Sequence, residues 1–155
     1  DLGEAGEVTI TTLGVTGMPL VRFKTGDVVY HYDEPCRCGR NTVRVSSVVG
    51  RKKQMIKFKG TTLYPPALFD ILDNIPDVKN YVVEVFTNEL GTDDVLVRVG
   101  TLTPGERFEK EIKDIFRAKV RVAPGVIFDT PENVSKIMFP PMSRKPVKFI
   151  DKRSH

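Results

Sequence analysis

The chain has 155 residues, 40% hydrophobic and 28% charged, with a net charge of +4, which is the mixture of a soluble globular protein. It is long enough for one domain, or for a small domain plus part of another. No run approaches the roughly 18 to 20 apolar residues of a membrane span, and the acidic, Gly-rich opening Asp1-Leu2-Gly3-Glu4-Ala5-Gly6-Glu7 is no signal peptide.

That opening lacks an initiator Met and reads as the interior of a longer chain. The first fifty residues then have a β character. Glu7 to Leu13 alternates apolar and polar residues and is rich in β-branched side chains. Gly17-Met18-Pro19 marks a turn. Two further strands, Leu20 to Phe23 and Val28 to Tyr30, are expected to flank a corner at Lys24-Thr25-Gly26-Asp27. Asp33 to Arg40 forms a polar loop and Val43 to Val49 a last strand. Short antiparallel strands without a helix suggest part of a barrel or sandwich whose remainder lies upstream.

From Gly50 the pattern changes. Gln54 to Lys59 reads as a short strand and Gly60-Thr61-Thr62 as a turn. Pro65-Pro66 can open a helix, where a missing N–H costs nothing, and that helix should run through Ile75 and stop at Pro76. Tyr81 to Phe86 and Val95 to Val99 are strands. Thr103-Pro104-Gly105-Glu106 fits a capping box, followed by Phe108, Ile112, Ile115 and Phe116 on one helical face. Val126 to Phe128 is a third strand. The expected fold is α+β: a short antiparallel β segment, incomplete over residues 1–50, then a small ferredoxin-like domain over 51–155 with helices on an antiparallel sheet.

Three segments carry candidate chemistry. Asp27, in a Thr-Gly-Asp corner, would be a restrained carboxylate, and an ionised Asp accepts hydrogen bonds such as those of vicinal ribose hydroxyls. Taken alone, the ordinary reading is a Gly-Asp turn. Gly50 to Gly60 holds five cations, several of them on one strand face and suited to phosphates. A lysine-protected edge strand explains them as simply. Met142 to Arg153 is a second basic stretch, in which Lys145 could neutralise a phosphate. By itself it is a solubilising tail. A nucleic-acid role is the weaker reading, since the cations are not interleaved with exposed aromatics and there is no Trp.

In this order and spacing, the three segments resemble the last blocks of the acyl-adenylate-forming superfamily. Phe23-Lys24-Thr25-Gly26-Asp27 is similar to its Tyr/Phe-Arg-Thr-Gly-Asp block. Gly50-Arg51-Lys52-Lys53 is similar to the Gly-Arg-x-Asp/Lys block, with Lys59-Gly60 as the following basic-Gly pair. Arg144-Lys145 resembles the terminal Gly-Lys. Pro35-Cys36-Arg37-Cys38-Gly39-Arg40 and Leu63-Tyr64-Pro65 are most similar to the phenylacetate–CoA ligase branch. The chain departs from these patterns at Lys24, Lys53-Gln54, Arg144 and Lys148.

The resemblance implies roles. Asp27 would bind the ribose of ATP and of the acyl-AMP, and Arg51 would contact the nucleotide. Lys53 would be the hinge on which a small domain pivots. Lys59 and Gly60 would line the pantetheine route of CoA. Lys145 would reach the α-phosphate and carboxylate in adenylation, with Lys136 and Lys148 as nearby alternatives. The implied partners are MgATP (with its Mg2+) and AMP, CoA, an aryl carboxylic acid and the upstream part of the same ligase. No nucleic acid or membrane is expected, and oligomerisation stays open.

Cys36 and Cys38 are the only cysteines, which argues against a disulfide framework and for a cytoplasmic setting. Their pairing would close a strained ring. Two thiolates so close could share a structural Zn2+, but a tetrahedral site needs two more ligands, and His31 is the internal candidate. Free thiols are the other reading. Two functional alternatives also remain: a related adenylate-former acting on another aryl or indolyl acid, and a non-catalytic ferredoxin-like binding or regulatory module.

Overall fold

The computed structural model describes residues 3–153 and divides into two compact units, Asp1–Met55 and Ile56–His155. In the first unit, strand β1 (Ala5–Ile10) pairs antiparallel with the ten-residue β2 (Phe23–Tyr32). The opposite edge of β2 takes β3 (Arg44–Val45) and β4 (Gly50–Arg51), both antiparallel. Arg51 to Lys53, expected at the start of the second domain, lie with the first unit; Lys52–Gln54 form one 3-10 turn just before the division.

The expected corner at Lys24-Thr25-Gly26-Asp27 is a bulge inside one strand. Thr9 pairs with Lys24 and Glu7 with Val28, so Val8 faces three residues of β2. Gly26, at φ +79, supplies the left-handed residue such a bulge uses. The Thr25 hydroxyl knits it together: Oγ1 donates to the Val8 carbonyl (3.3 Å) and accepts from Asp27 N–H (3.1 Å). The strand expected over Val43 to Val49 is shorter than the β-branched run suggests, because Tyr30 N–H donates to Ser46 Oγ (3.0 Å). That hydroxyl stands where a ladder carbonyl would otherwise accept.

Among the described residues the second unit carries a six-stranded mixed sheet with three helices packed against its two faces. A hairpin of β5 (Ile56–Phe58) and β6 (Thr61–Leu63) leads into α1 (Pro65–Asp73). The long hairpin of β7 (Asn80–Thr87) and β8 (Asp93–Gly100) follows, then α2 (Glu106–Val120) and β9 (Gly125–Asp129). The unit closes with α3 (Pro131–Met138) and β10 (Phe149–Asp151). β7 and β8 are antiparallel, but β9 runs parallel to β8 and β10 parallel to β7. The α+β class is as expected; the sheet is mixed where an antiparallel one was expected. The reason is α2, which carries the chain across from β8 to β9 and returns it in the same direction.

Alternation along β7 divides the core. Val83 and Val85 face Ile71, Leu72, Ile112 and Phe116 of α1 and α2, while Val82 meets Val134 and Met138 of α3. The start of α2 also differs from expectation. Gly105 caps it without any side-chain bond, and the Thr103 hydroxyl, expected to cap it, pairs instead with the Thr101 hydroxyl (3.3 Å). Helix α3 starts as its sequence dictates: Thr130 Oγ1 accepts from Asn133 N–H (3.3 Å), with Pro131 in the first turn.

Candidate functional site

The bulge sets the geometry of the first unit's site. It places Asp27 directly opposite Arg51 across the β2–β4 ladder, with Arg51 Nε 3.5 Å from Asp27 Oδ1. A cavity of about 630 Å3 opens beside them, lined by Glu7, Lys24, Thr25, Gly26, Arg51, Lys52 and Lys53. Lys52 Nζ spans it to Glu7 Oε2 at 3.0 Å. Four cations around one carboxylate give the lining a net positive charge. Asp27 follows Gly26 and is about a third exposed, so its remaining acceptor sites face water. Three of the residues singled out in the sequence, Asp27, Arg51 and Lys53, are thus gathered by one bulge and one short ladder. Asp27 does not itself line the cavity but pairs with Arg51, which does. A hydroxyl-accepting carboxylate thus stands beside a cationic space, and that is chemistry suited to a ribose and a phosphate.

Lys59 and Gly60 lie in the second unit as the two central residues of the β5–β6 turn, at φ +47 and +79. Positive φ at both positions is the requirement of a type I′ hairpin turn. The Lys59 ammonium lies 4.7 Å from the Phe58 ring centre and 3.4 Å from the Ala123 carbonyl. It enters a separate cavity of about 720 Å3 together with Lys113, Arg117 and Arg121. Sequence reasoning missed those three, although their four-residue spacing was visible.

Lys145 sits exposed on the segment between α3 and β10. The base of that segment is closed by Val147 N–H donating to the Met138 carbonyl (2.7 Å). Lys148, one of the two alternatives, is already engaged. Its Nζ lies 3.0 Å from Asp73 Oδ1 and 2.9 Å from the Tyr81 hydroxyl, 4.5 Å over the Tyr81 ring. Burial pushes the Asp73 carboxyl up, but hydrogen bonds from Lys148 and Tyr81 and the Lys148 charge outweigh it and hold the pKa below the ordinary value. Burial and the Asp73 carboxylate both push the Tyr81 hydroxyl far up. Lys136 is exposed on α3.

The Cys36 and Cys38 sulfurs stand 2.9 Å apart as free thiols. The Cys36 thiol is lowered from its usual value by hydrogen bonds from Cys38, side chain first, and by the charge of Arg44. His31 turns to Asp33 instead (Nδ1–Oδ1 3.2 Å). Among the described residues no group of three or more His, Cys, Asp or Glu side chains could hold a metal ion. These residues therefore do not make up a closed tetrahedral zinc site. Among the described residues, too, no helix is long and apolar enough to cross a membrane.

No family model matches the chain. It is 33% identical over 102 residues to a phenylacetate–coenzyme A ligase of Thermus thermophilus, a stretch covering 66% of this chain and 23% of that protein. It is 29% identical over 84 residues to a phenylacetate–coenzyme A ligase of Aromatoleum evansii, covering 54% of this chain and 18% of that one. The matches thus span about a quarter of those relatives' length or less. In fold it matches a 2-hydroxyisobutyryl-CoA ligase solved with an acyl-AMP in the postadenylation state, with a TM-score of 0.72. That match is 22% identical and covers 98% of this chain and 33% of the ligase. An anthranilate–CoA ligase solved with anthranoyl-AMP matches with a TM-score of 0.63 at 16% identity, over 96% of this chain and 29% of that one. The chain is thus similar over part of its length to phenylacetate–CoA ligases, and the resemblance to that branch read from the sequence is borne out.

Proposed function

We propose that this chain is the C-terminal part of an ATP-dependent ligase that joins an aryl carboxylic acid, phenylacetate by its relatives, to CoA through an acyl-adenylate. In such a reaction the carboxylate attacks the α-phosphate of MgATP, releasing pyrophosphate, and the CoA thiol then displaces AMP to give the thioester. The observation that carries the reading is the Asp27–Arg51 pair at the edge of a cationic cavity. There the Asp27 carboxylate would accept both ribose hydroxyls, and Arg51 would swing from Asp27 toward the phosphate. Lys24, Lys52 and Lys53 would raise the local concentration of an anionic nucleotide.

Lys53, one residue into the 3-10 turn that precedes the division between the units, would serve as the pivot between half-reactions. Lys145 would bring a compact, exposed cation to the charge developing at the α-phosphate. The engagement of Lys148 with Asp73 and Tyr81 favours Lys145 over that alternative. Lys59 and Gly60 would border the route of the CoA thiol. Mg2+ would arrive with ATP. The reading sets the chain in the cytoplasm, beside its nucleotide cosubstrates. The first unit leaves Leu13, Met18, Val21 and Val43 more than two-thirds exposed, which supports a partner surface, assigned here to the upstream part of the same ligase.

The test is a titration of the isotope-labelled 155-residue chain with AMP, followed by NMR. Saturable binding in the millimolar range is expected, with shifts centred on residues 24–27 and 51–53. Asp27→Asn should weaken it about tenfold. Shifts confined to other residues, or unaffected by Asp27→Asn, would refute the assignment.

A further inference from the structure

Lys145 stands on a segment whose own contacts do not hold it to the rest of the second unit. Among the described residues the hydrogen bonds of residues 140–146 stay within that segment. Ser143 N–H donates to the Pro140 carbonyl at 2.8 Å, and Ser143 Oγ to the Lys145 carbonyl at 2.5 Å. Met142 is 97% exposed. A lysine on a freely swinging loop would sweep a wide volume, whereas a charge that stabilises one developing oxygen must arrive at one place. Whatever directs Lys145 therefore acts at the roots of the segment.

One root is a single main-chain bond, from the Val147 N–H to the Met138 carbonyl at 2.7 Å. The other is Lys148. Its carbonyl accepts from the Val83 N–H at 2.9 Å, which joins it to β7. Its ammonium lies 3.0 Å from Asp73 Oδ1 at the end of α1 and 2.9 Å from the Tyr81 hydroxyl, 4.5 Å over the Tyr81 ring. Tyr81 is 2% exposed and its hydroxyl donates to the same Asp73 oxygen at 2.8 Å, so the platform belongs to the core. Lys145 precedes this anchor by three residues, about 10 Å of extended chain. Pro146 lies between them; its ring fixes its own φ and biases Lys145 toward extended backbone. Few free torsions separate the anchored lysine from the exposed one.

The competing explanation is that Lys148 merely stabilises the second unit. An ion pair whose lysine is about a third exposed adds little there. Helix α1 and strand β7 already share one core through Ile71, Leu72, Val83 and Val85, and the Tyr81–Asp73 hydrogen bond links them without it. What Lys148 adds is a tie from that core to the root of the Lys145 segment.

We propose that Lys148 is a positioning residue for Lys145: seated on Asp73 and Tyr81, it sets the direction in which the segment leaves the second unit, and so where the Lys145 ammonium is delivered. This rests on the adenylating role proposed above for Lys145. Lys148 itself touches no reacting atom. Its loss lowers the rate of the step that uses the Lys145 charge and leaves ATP binding alone.

The test is acid-dependent exchange between pyrophosphate and ATP on the full-length polypeptide that carries this chain. The variants are Lys148→Met, Lys148→Arg, Lys145→Ala, and Lys145→Ala combined with Lys148→Met. Lys148→Met should lower kcat about tenfold with KM for ATP nearly unchanged. Lys148→Arg should restore most of the rate, because a guanidinium also suits a carboxylate and an aromatic face. In the Lys145→Ala background, Lys148→Met should cost nothing further, since no charge is left to position. Conversion of preformed acyl-adenylate to thioester, a step in which Lys145 has no assigned role, should keep its rate in Lys148→Met. Wild-type exchange in Lys148→Met, beside a large loss in Lys145→Ala, would overturn the positioning role alone. So would an equal fractional loss with and without Lys145, or in both half-reactions, which marks general damage to the fold. Wild-type exchange in Lys145→Ala would instead refute the adenylating role on which the positioning depends.

Discussion

At the scale of single residues, Lys148 shows why a basic residue near a motif is not yet a catalytic one. Lys148 joins Asp73 and Tyr81 in one network, and with the Lys148 side chain about a third exposed its removal should cost only about 1 kcal/mol. The pH dependence has a definite sign. The folded Asp73 carboxyl titrates below its unfolded value, so its contribution is complete above the unfolded carboxylate range, near 4. It is lost as the pH falls through the lower folded value. Urea unfolding of wild type and Lys148→Met should therefore differ at pH 7, and the gap should shrink toward pH 3. A gap of the same size at both pH values would refute the network. Asp27 was legible in the sequence from its Thr-Gly-Asp setting. The bulge that aims it was not, because Val8 facing three residues of β2 depends on a cross-strand register that no local pattern encodes.

At the scale of elements, the turn at Lys59-Gly60 combines a backbone requirement with a cation. Both residues have positive φ, and Asn-Gly is the preferred pair for such a turn. Lys59→Asn should thus keep or raise the melting temperature, while Gly60→Val should lower stability by roughly 1 to 2 kcal/mol. Differential scanning calorimetry on both variants reads this directly, and a destabilised Lys59→Asn would contradict it. The helices and long strands of the second unit were readable because Phe108, Ile112 and Phe116 keep a helical period and the β7 and β8 residues are β-branched. Helix α3 was missed although Thr130-Pro131 is a fair start signal. At eight residues it is too short for periodicity to speak, and its apolar stripe gains meaning only against Val82 on the sheet's second face. The parallel pairings of β9 and β10 were equally invisible, since strand direction follows from the crossovers.

At the scale of the whole molecule, the chain consists of two units of unequal self-sufficiency. The second buries a continuous core. The first buries Val28 and Val29 but leaves Leu13 90% and Val21 75% exposed, as expected if its strands belong to a larger body. The motif order along the chain was the strongest functional signal in the sequence. It did not reveal the basic stripe of α2, because cations at a helix end have an ordinary explanation until the cavity beside them is seen. The most direct measurement is acid-dependent exchange between pyrophosphate and ATP, assayed on the full-length polypeptide that carries this chain, with phenylacetate and other aryl acids. Exchange is predicted with an aryl acid, falling at least about a hundredfold in Asp27→Ala and in Lys145→Ala, with no thioester formed by the 155-residue chain alone. No exchange with any aryl acid, or full exchange in both variants, would contradict the assignment.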